Sequence, residues 1–346
     1  GMHTNMTLQG QPLQFKIGEC DEITLDYDFL VDTDIKQYQT LLKKICNNLL
    51  TFEGYDKENR DIGKILENPS ELEIPQKTVD EYIKQIKGKA FQEDKMGEYR
   101  NKLEVAAIFR LLRERGKVEG RKSRKKIYAG FDTYTYLSSG IIRIFLNLVG
   151  MAFYRAEGQG TNVKKGEKIS VEDQSWASHV VSKGYLEKIH KNVESYVGIS
   201  GEMMYQFVAD IGDIFRERLL FHSSEPETLS ISIKDPQNLT KDEYRLLKNF
   251  LSHSVRESIL YKREETSSYR PKQTTMIRTK DYVLNRSYTP ALEISYRTRW
   301  GRCHFTIKEL SDLLNPDNRT KAKKELQQKQ RADETTYPLF KGMNLE

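Results

Sequence analysis

The chain has 346 residues, 37% hydrophobic and 31% charged, long enough for two or three domains with real cores. Its 19 tyrosines and 14 phenylalanines are more than a disordered chain would carry. The longest apolar stretch, residues 141–153, is interrupted by Arg143 and Asn147 and reads as a buried helix, which excludes a membrane span there.

No charged segment followed by an apolar core opens the chain, so it reads as cytoplasmic, and Gly1 before Met2 reads as the scar of a removed tag. Cys20, Cys46 and Cys303 are scattered without a CxxC pair, which predicts free thiols in a reducing compartment and no zinc site. The net charge is only +6, but it is unevenly placed. Residues 113–126 hold eight basic and two acidic side chains, and residues 256–302 hold eleven basic and five acidic. Clusters of this kind are the footprint of an anionic partner, although a solvated loop explains either one alone.

In chain order, residues 13–17 and 23–30 read as short strands, the second alternating Ile23, Leu25, Tyr27 and Phe29. Residues 34–50 read as a helix with Ile35, Tyr38, Leu41, Leu42, Ile45 and Leu49 on its apolar positions. Thr78 with Glu81 is a capping-box pattern for a helix through Lys87, and Asn101 begins a helix that Gly116 stops. A basic loop follows over 116–126, then an extended piece over 127–136. Ser138 and Ser139 then cap a helix over 141–154.

Residues 155–168, with three glycines, read as a domain boundary. Ser170 with Asp173, Ser200, Thr240 with Glu243, and Thr306 with Glu309 each mark a helix start. The first of these helices turns Val171, Val180, Val181, Leu186 and Ile189 inward. Residues 229–233 alternate as a strand, residues 264–280 form a polar hairpin, and a charged tail follows Asn315. The fold class expected is mainly α with small β elements: a flexible start with short strands (1–33), a helical domain (34–155), a winged-helix-like domain (167–314) and a tail (315–346). In a winged helix one helix enters the major groove while the hairpin tracks phosphates.

No complete catalytic site is present in the sequence. Gly63-Lys64 is followed by Ile65 in place of the hydroxyl residue of a phosphate loop. There is no GxSxG, no HExxH and no glycine-rich dinucleotide fingerprint, and the six histidines are isolated. Catalytic and metal-binding residues are therefore both expected to be none. One sharper feature is the run Ser138-Ser139-Gly140-Ile141-Ile142-Arg143, which places a guanidinium in the first turn of an apolar helix. A buried arginine there needs either a neighbouring carboxylate or a phosphate. The second feature is the C-terminal basic surface. Arg256, Lys262, Arg263, Arg270, Lys272, Arg278 and Lys280 flank the hairpin, with Arg297, Arg299 and Arg302 beyond it and Tyr261, Tyr269, Tyr282 and Trp300 interleaved. Such a surface suits phosphate contacts with some stacking, or else a protein interface or plain solvation.

These features together resemble the lid and winged-helix portion of bacterial origin-recognition-type AAA+ ATPases. The stretch Tyr128-Ala129-Gly130-Phe131-Asp132-Thr133-Tyr134, followed by Leu137–Arg143 and Phe145-Leu146, is similar to the lid segment. Ile169-Ser170-Val171-Glu172-Asp173-Gln174 resembles the entry to the helices after it. Tyr282-Val283-Leu284-Asn285-Arg286 with Pro290, then Tyr296-Arg297-Thr298-Arg299, resembles the winged-helix portion. The resemblance covers about residues 100–315 and lacks the Walker A and Walker B core. It implies that Gly140 and Arg143 form a sensor 2-like, nucleotide-sensing element, and that Arg286 joins the nucleic-acid-binding set. It further implies a non-catalytic DNA-binding module that docks with an AAA+ ATPase core or other subunits, with ATP and Mg only when that core is supplied. The competing expectation is a protein-interaction or regulatory module that uses the same surfaces without nucleic acid.

Overall fold

The computed structural model describes residues 35–69, 74–118, 126–192, 198–222, 226–234, 236–263, 280–297 and 301–331, together with a two-residue ladder between β1 (Thr7–Leu8) and β2 (Gln11–Pro12). The strands expected at 13–17 and 23–30 lie outside the described residues, as does Cys20. The described chain is mainly α with small β elements, and none of its helices is long and apolar enough to cross a membrane.

Helix α1 (Ile35–Phe52) buries Tyr38, Leu42, Cys46 and Leu50 at four-residue spacing, the row that one face of a helix provides. The single turn α2 (Ile62–Ile65) is capped by the Asp61 carboxylate, which accepts the Gly63 amide. Helices α3 (Gln76–Lys87) and α4 (Met96–Val118) form a hairpin over Val79, Tyr82, Ile83, Ile86, Leu103, Ala107 and Leu111. The expected Thr78 cap is absent: α3 starts earlier, at Gln76 behind Pro75, whose locked φ opens the helix without a side-chain cap. Helix α4 likewise begins before Asn101 and runs through Gly116 to Val118.

The piece expected to be extended over 127–136 becomes helical from Phe131. Gly130 turns the chain at φ +93°, and α5 (Phe131–Leu137) follows. Ser138 and Ser139 do not cap the next helix. Both are buried at the end of α5, where the Ser138 hydroxyl donates to the Thr135 carbonyl. Helix α6 (Ile142–Gly158) starts without a side-chain cap. The glycine-rich residues 159–168 then connect it to α7 (Val171–Asn192), which packs along it. Ser170 and Asp173 cap α7 as expected. Its inward face, however, includes Gln174, Ser178 and Ser182, while Val180 is exposed. A polar stripe at i, i+4 and i+8 does not register in a hydrophobicity pattern.

Helix α8 (Gly201–Phe221), capped by Ser200, is the spine of a second core. The buried Arg110 of α4 donates to the Leu219 and His222 carbonyls, closing the end of α8. Strand β3 (Thr228–Ile233) is buried along its whole length, so the alternation of its residues sorts two covered faces. Two 3-10 turns (Pro236–Thr240 and Asp242–Tyr244) replace the expected Thr240 cap and lead into α9 (Arg245–Arg256). Strands β4 (Leu260–Arg263) and β5 (Lys280–Leu284) follow, then α10 (Thr289–Leu292), β6 (Gly301–Phe305) and α11 (Ile307–Leu314). The sheet order is β4-β5-β3-β6, with β6 parallel to β3 and the other pairs antiparallel. Helix α11 carries the full capping box of Thr306 and Glu309.

The expected tail is partly a helix. In α12 (Pro316–Arg331), Arg319 and Lys323 pair with Asp210, Lys323 with Asp213 and Arg331 with Glu217, all three acids being on α8. Its charge pattern alone reads as solvated, because the complementary carboxylates lie about a hundred residues away. Two glycines test the packing. A Cβ on Gly301 would stand 1.9 Å from the Glu227 carbonyl oxygen, whereas one on Gly150 of α6 meets nothing within 4 Å. Urea denaturation of Gly301→Ala is expected to show a loss of more than about 3 kcal/mol. Gly150→Ala, on an exposed helical position, is expected to gain about 0.5–1 kcal/mol.

Candidate nucleic-acid interface

Helix α9 is amphipathic in a way that sorts its charges. Leu247, Phe250, Leu251, His253 and Ser254 are buried, while Arg245, Lys248, Ser252 and Arg256 are exposed and Asn249 is half-buried. At 100° per residue, Arg245, Asn249, Ser252 and Arg256 form one row, with Lys248 beside it. The helix contains no carboxylate; Asp242 and Glu243 precede it in the 3-10 turn. No hydrogen bond or ion pair engages Arg245, Lys248 or the side chains of Asn249 and Ser252 among the described residues. Arg256 lies 3.4 Å from Glu257. Helix α9 packs against the edge strand β4, which adds the exposed Lys262 and half-buried Arg263, and Lys280 opens the neighbouring β5.

The expected basic residues thus separate by place. Arg256, Lys262, Arg263 and Lys280 gather on α9 and the β4–β5 edge. Arg302 is partly neutralised, its Nε lying 3.3 Å from the buried carboxylate of Asp281. Arg297 is exposed just beyond the sheet, its amide held by the Ser295 hydroxyl. Arg270, Lys272, Arg278 and Arg299 lie outside the described residues.

Arg286 is corrected: it is buried, and its Nε donates to the Tyr296 carbonyl at 2.9 Å. Burial pushes its guanidinium down to about 10, and it is not a surface group. Arg245 and Lys248 were missed because Asp242 and Glu243 nearly balance the charge of their window. Their signal is positional: cations on the face opposite Leu247, Phe250 and Leu251, with no acid among them.

Arg143 is corrected in its surroundings. It is exposed in the first turn of α6, and no ion pair or hydrogen bond reaches it among the described residues, which removes the internal ion pair. The turn before it is built from Ser139 and Gly140, at φ +50° and +79°. Glycine adopts such angles freely, and serine does so only when the surroundings hold it. Here the Ser139 hydroxyl accepts the Arg286 amide at 3.0 Å. No group of three or more His, Cys, Asp or Glu side chains is placed to hold a metal among the described residues.

The expected basic loop ends in an unexpected group. Lys126 is buried, with its ammonium 5.8 Å from the ring of Tyr128 and 5.9 Å from that of Tyr296, and with no hydrogen-bond partner. Burial pushes it down to about 8, while Glu227 works upward and Arg297 downward. Because the folded value lies below the unfolded 10.5, the unfolded chain holds the extra proton between those values, and stability rises with pH across that window. In thermal melts, Lys126→Met is therefore expected to be more stable than the wild type at pH 7. The gap should narrow as pH rises from about 8 toward 10.5; a gap independent of pH would contradict this burial.

Searches of curated proteins and of solved structures find no match. A family model described as ORC-CDC6-like matches residues 1–302, which include the turn before Arg143, α9 and the first three strands of the sheet. The chain is therefore an origin-recognition/Cdc6-type, AAA+-related protein, a member of the ORC-CDC6-like family.

Proposed function

We propose that this chain is a non-catalytic DNA-binding module that grips duplex DNA through α9 and the β4–β5 hairpin in the manner of a winged helix. The observation that carries the reading is the set of cations on α9, of which Arg245 and Lys248 have no ion pair among the described residues, beside a basic sheet edge. The order of elements supports it: α8, β3, α9, then a hairpin whose second strand, β5, lies between β3 and β4. That order offers α9 to a groove and the hairpin to the flanking phosphates. In this reading residues 34–155 are the lid-like part and residues 167–314 the winged-helix-like part, of bacterial type.

The exposed Arg143, with Gly140 turning the chain ahead of it, is the group that would reach a nucleotide held on a separate ATPase core. Catalytic residues, ATP and Mg belong to that core and not to this chain. A protein partner is supported by a second observation. Leu41, Leu49, Phe52, Tyr154, Trp176 and Val180 are all exposed on α1, α6 and α7, the same helical layer that carries Arg143. Apolar side chains gathered on one layer suit a docking surface.

Fluorescence anisotropy with a labelled duplex at two salt concentrations tests the DNA reading. The wild type is expected to bind at low salt and to weaken steeply as salt rises. Arg245→Ala with Lys248→Ala should weaken binding to every duplex alike and lower the log K against log salt slope by about 0.9 per lost phosphate contact. Absence of binding at low salt would refute the reading.

A further inference from the structure

We infer that Asn249 is the base-reading residue of this interface and that it selects an adenine in the major groove of duplex DNA. The inference rests on the DNA-binding reading and adds a specificity to it. The exposed row of α9 is not uniformly basic. Arg245 and Arg256 stand at its two ends, eleven residues and so about 16 Å apart, and Lys248 lies to one side. Between the end cations the row holds only uncharged polar groups, Asn249 and, one turn on, Ser252.

Two cations about 16 Å apart suit phosphates across a major groove about 12 Å wide. The centre of the row then faces the base edges. A carboxamide in that place can accept from the adenine N6 amino group through Oδ1 and donate to N7 through Nδ2. This is a two-point match that no other base edge offers.

Neither Asn249 nor Ser252 spends its side chain inside the fold, since no hydrogen bond holds either among the described residues. Asn249 is nonetheless half-buried, with Phe250 and Leu251 fixing its stretch of helix in the core. A side chain free at its tip and fixed at its root is suited to readout, because little ordering is needed on binding. Duplex RNA is not the occupant this geometry fits. The A-form major groove is too narrow to admit a helix, and its wide minor groove presents no adenine N7.

The test is selection of bound sequences from a randomised DNA duplex pool by the full chain, followed by anisotropy titrations of the selected site. The wild type is expected to enrich one A·T pair. Replacing that adenine with 7-deaza-adenine, which lacks only the N7 acceptor, should weaken wild-type binding roughly 5- to 10-fold. Asn249→Ala should lose the preference at that position, become indifferent to the 7-deaza substitution, and keep its affinity for random duplex and its salt slope. A circular dichroism spectrum matching the wild type checks its fold. A wild-type preference that survives in Asn249→Ala, or 7-deaza sensitivity equal in both proteins, overturns this inference while leaving DNA binding standing. No enrichment of any sequence above random duplex also overturns it. No binding to any duplex removes the DNA reading and this inference with it.

Discussion

A set of buried hydrogen bonds between residues 128–139 and 174–182 on one side and residues 286–296 on the other holds the rest of the structure in register. The Tyr128 hydroxyl donates to the Ile294 carbonyl at 2.6 Å, with the Thr289 carbonyl 3.1 Å away. The Ser139 hydroxyl accepts the Arg286 amide, and the Ser182 hydroxyl accepts the Ala291 amide at 2.9 Å. Within the first side, Gln174 donates to the Glu67 and Ile169 carbonyls and accepts the Gly130 amide, so its buried carboxamide is well satisfied. Each bond contributes only about 1 kcal/mol, but a partner left alone in this interior costs more than the bond supplies.

This constraint ties the two candidate functional elements together. The turn that presents Arg143 is pinned through Ser139 to the amide of Arg286, which lies two residues past the end of β5, the strand paired with β4 beside α9. Two cations that a charge count assigns to an outer surface, Lys126 and Arg286, are consumed inside this contact, against tyrosine rings and a backbone carbonyl.

The sequence made the apolar helices and their hydroxyl caps readable, because spacing and a Ser or Thr at the start are local signals. Ser170, Ser200 and Thr306 sit where their patterns place them. It did not reveal the buried polar face of α7, since Gln174, Ser178 and Ser182 are recognisable as interior only beside Tyr128 and residues 286–291. Helix α12 was hidden for the same reason, its docking depending on acids of α8 distant in sequence. For the interface, reading the basic window 256–302 weighed charge without position. It therefore counted Arg286, which is buried, and omitted Arg245 and Lys248, which project from α9. Position on a helix face decides which charges meet a partner, and composition does not carry it.

Hydrogen exchange of the native chain, compared between the wild type and Tyr128→Phe, tests most directly whether the buried bonds make one cooperative unit. Removal of this hydroxyl is expected to lower the opening free energies of amides in α6 and in β5 together, by the same increment of about 1–3 kcal/mol. Loss of protection confined to α6 or to β5, with the other at its wild-type value, would contradict that coupling.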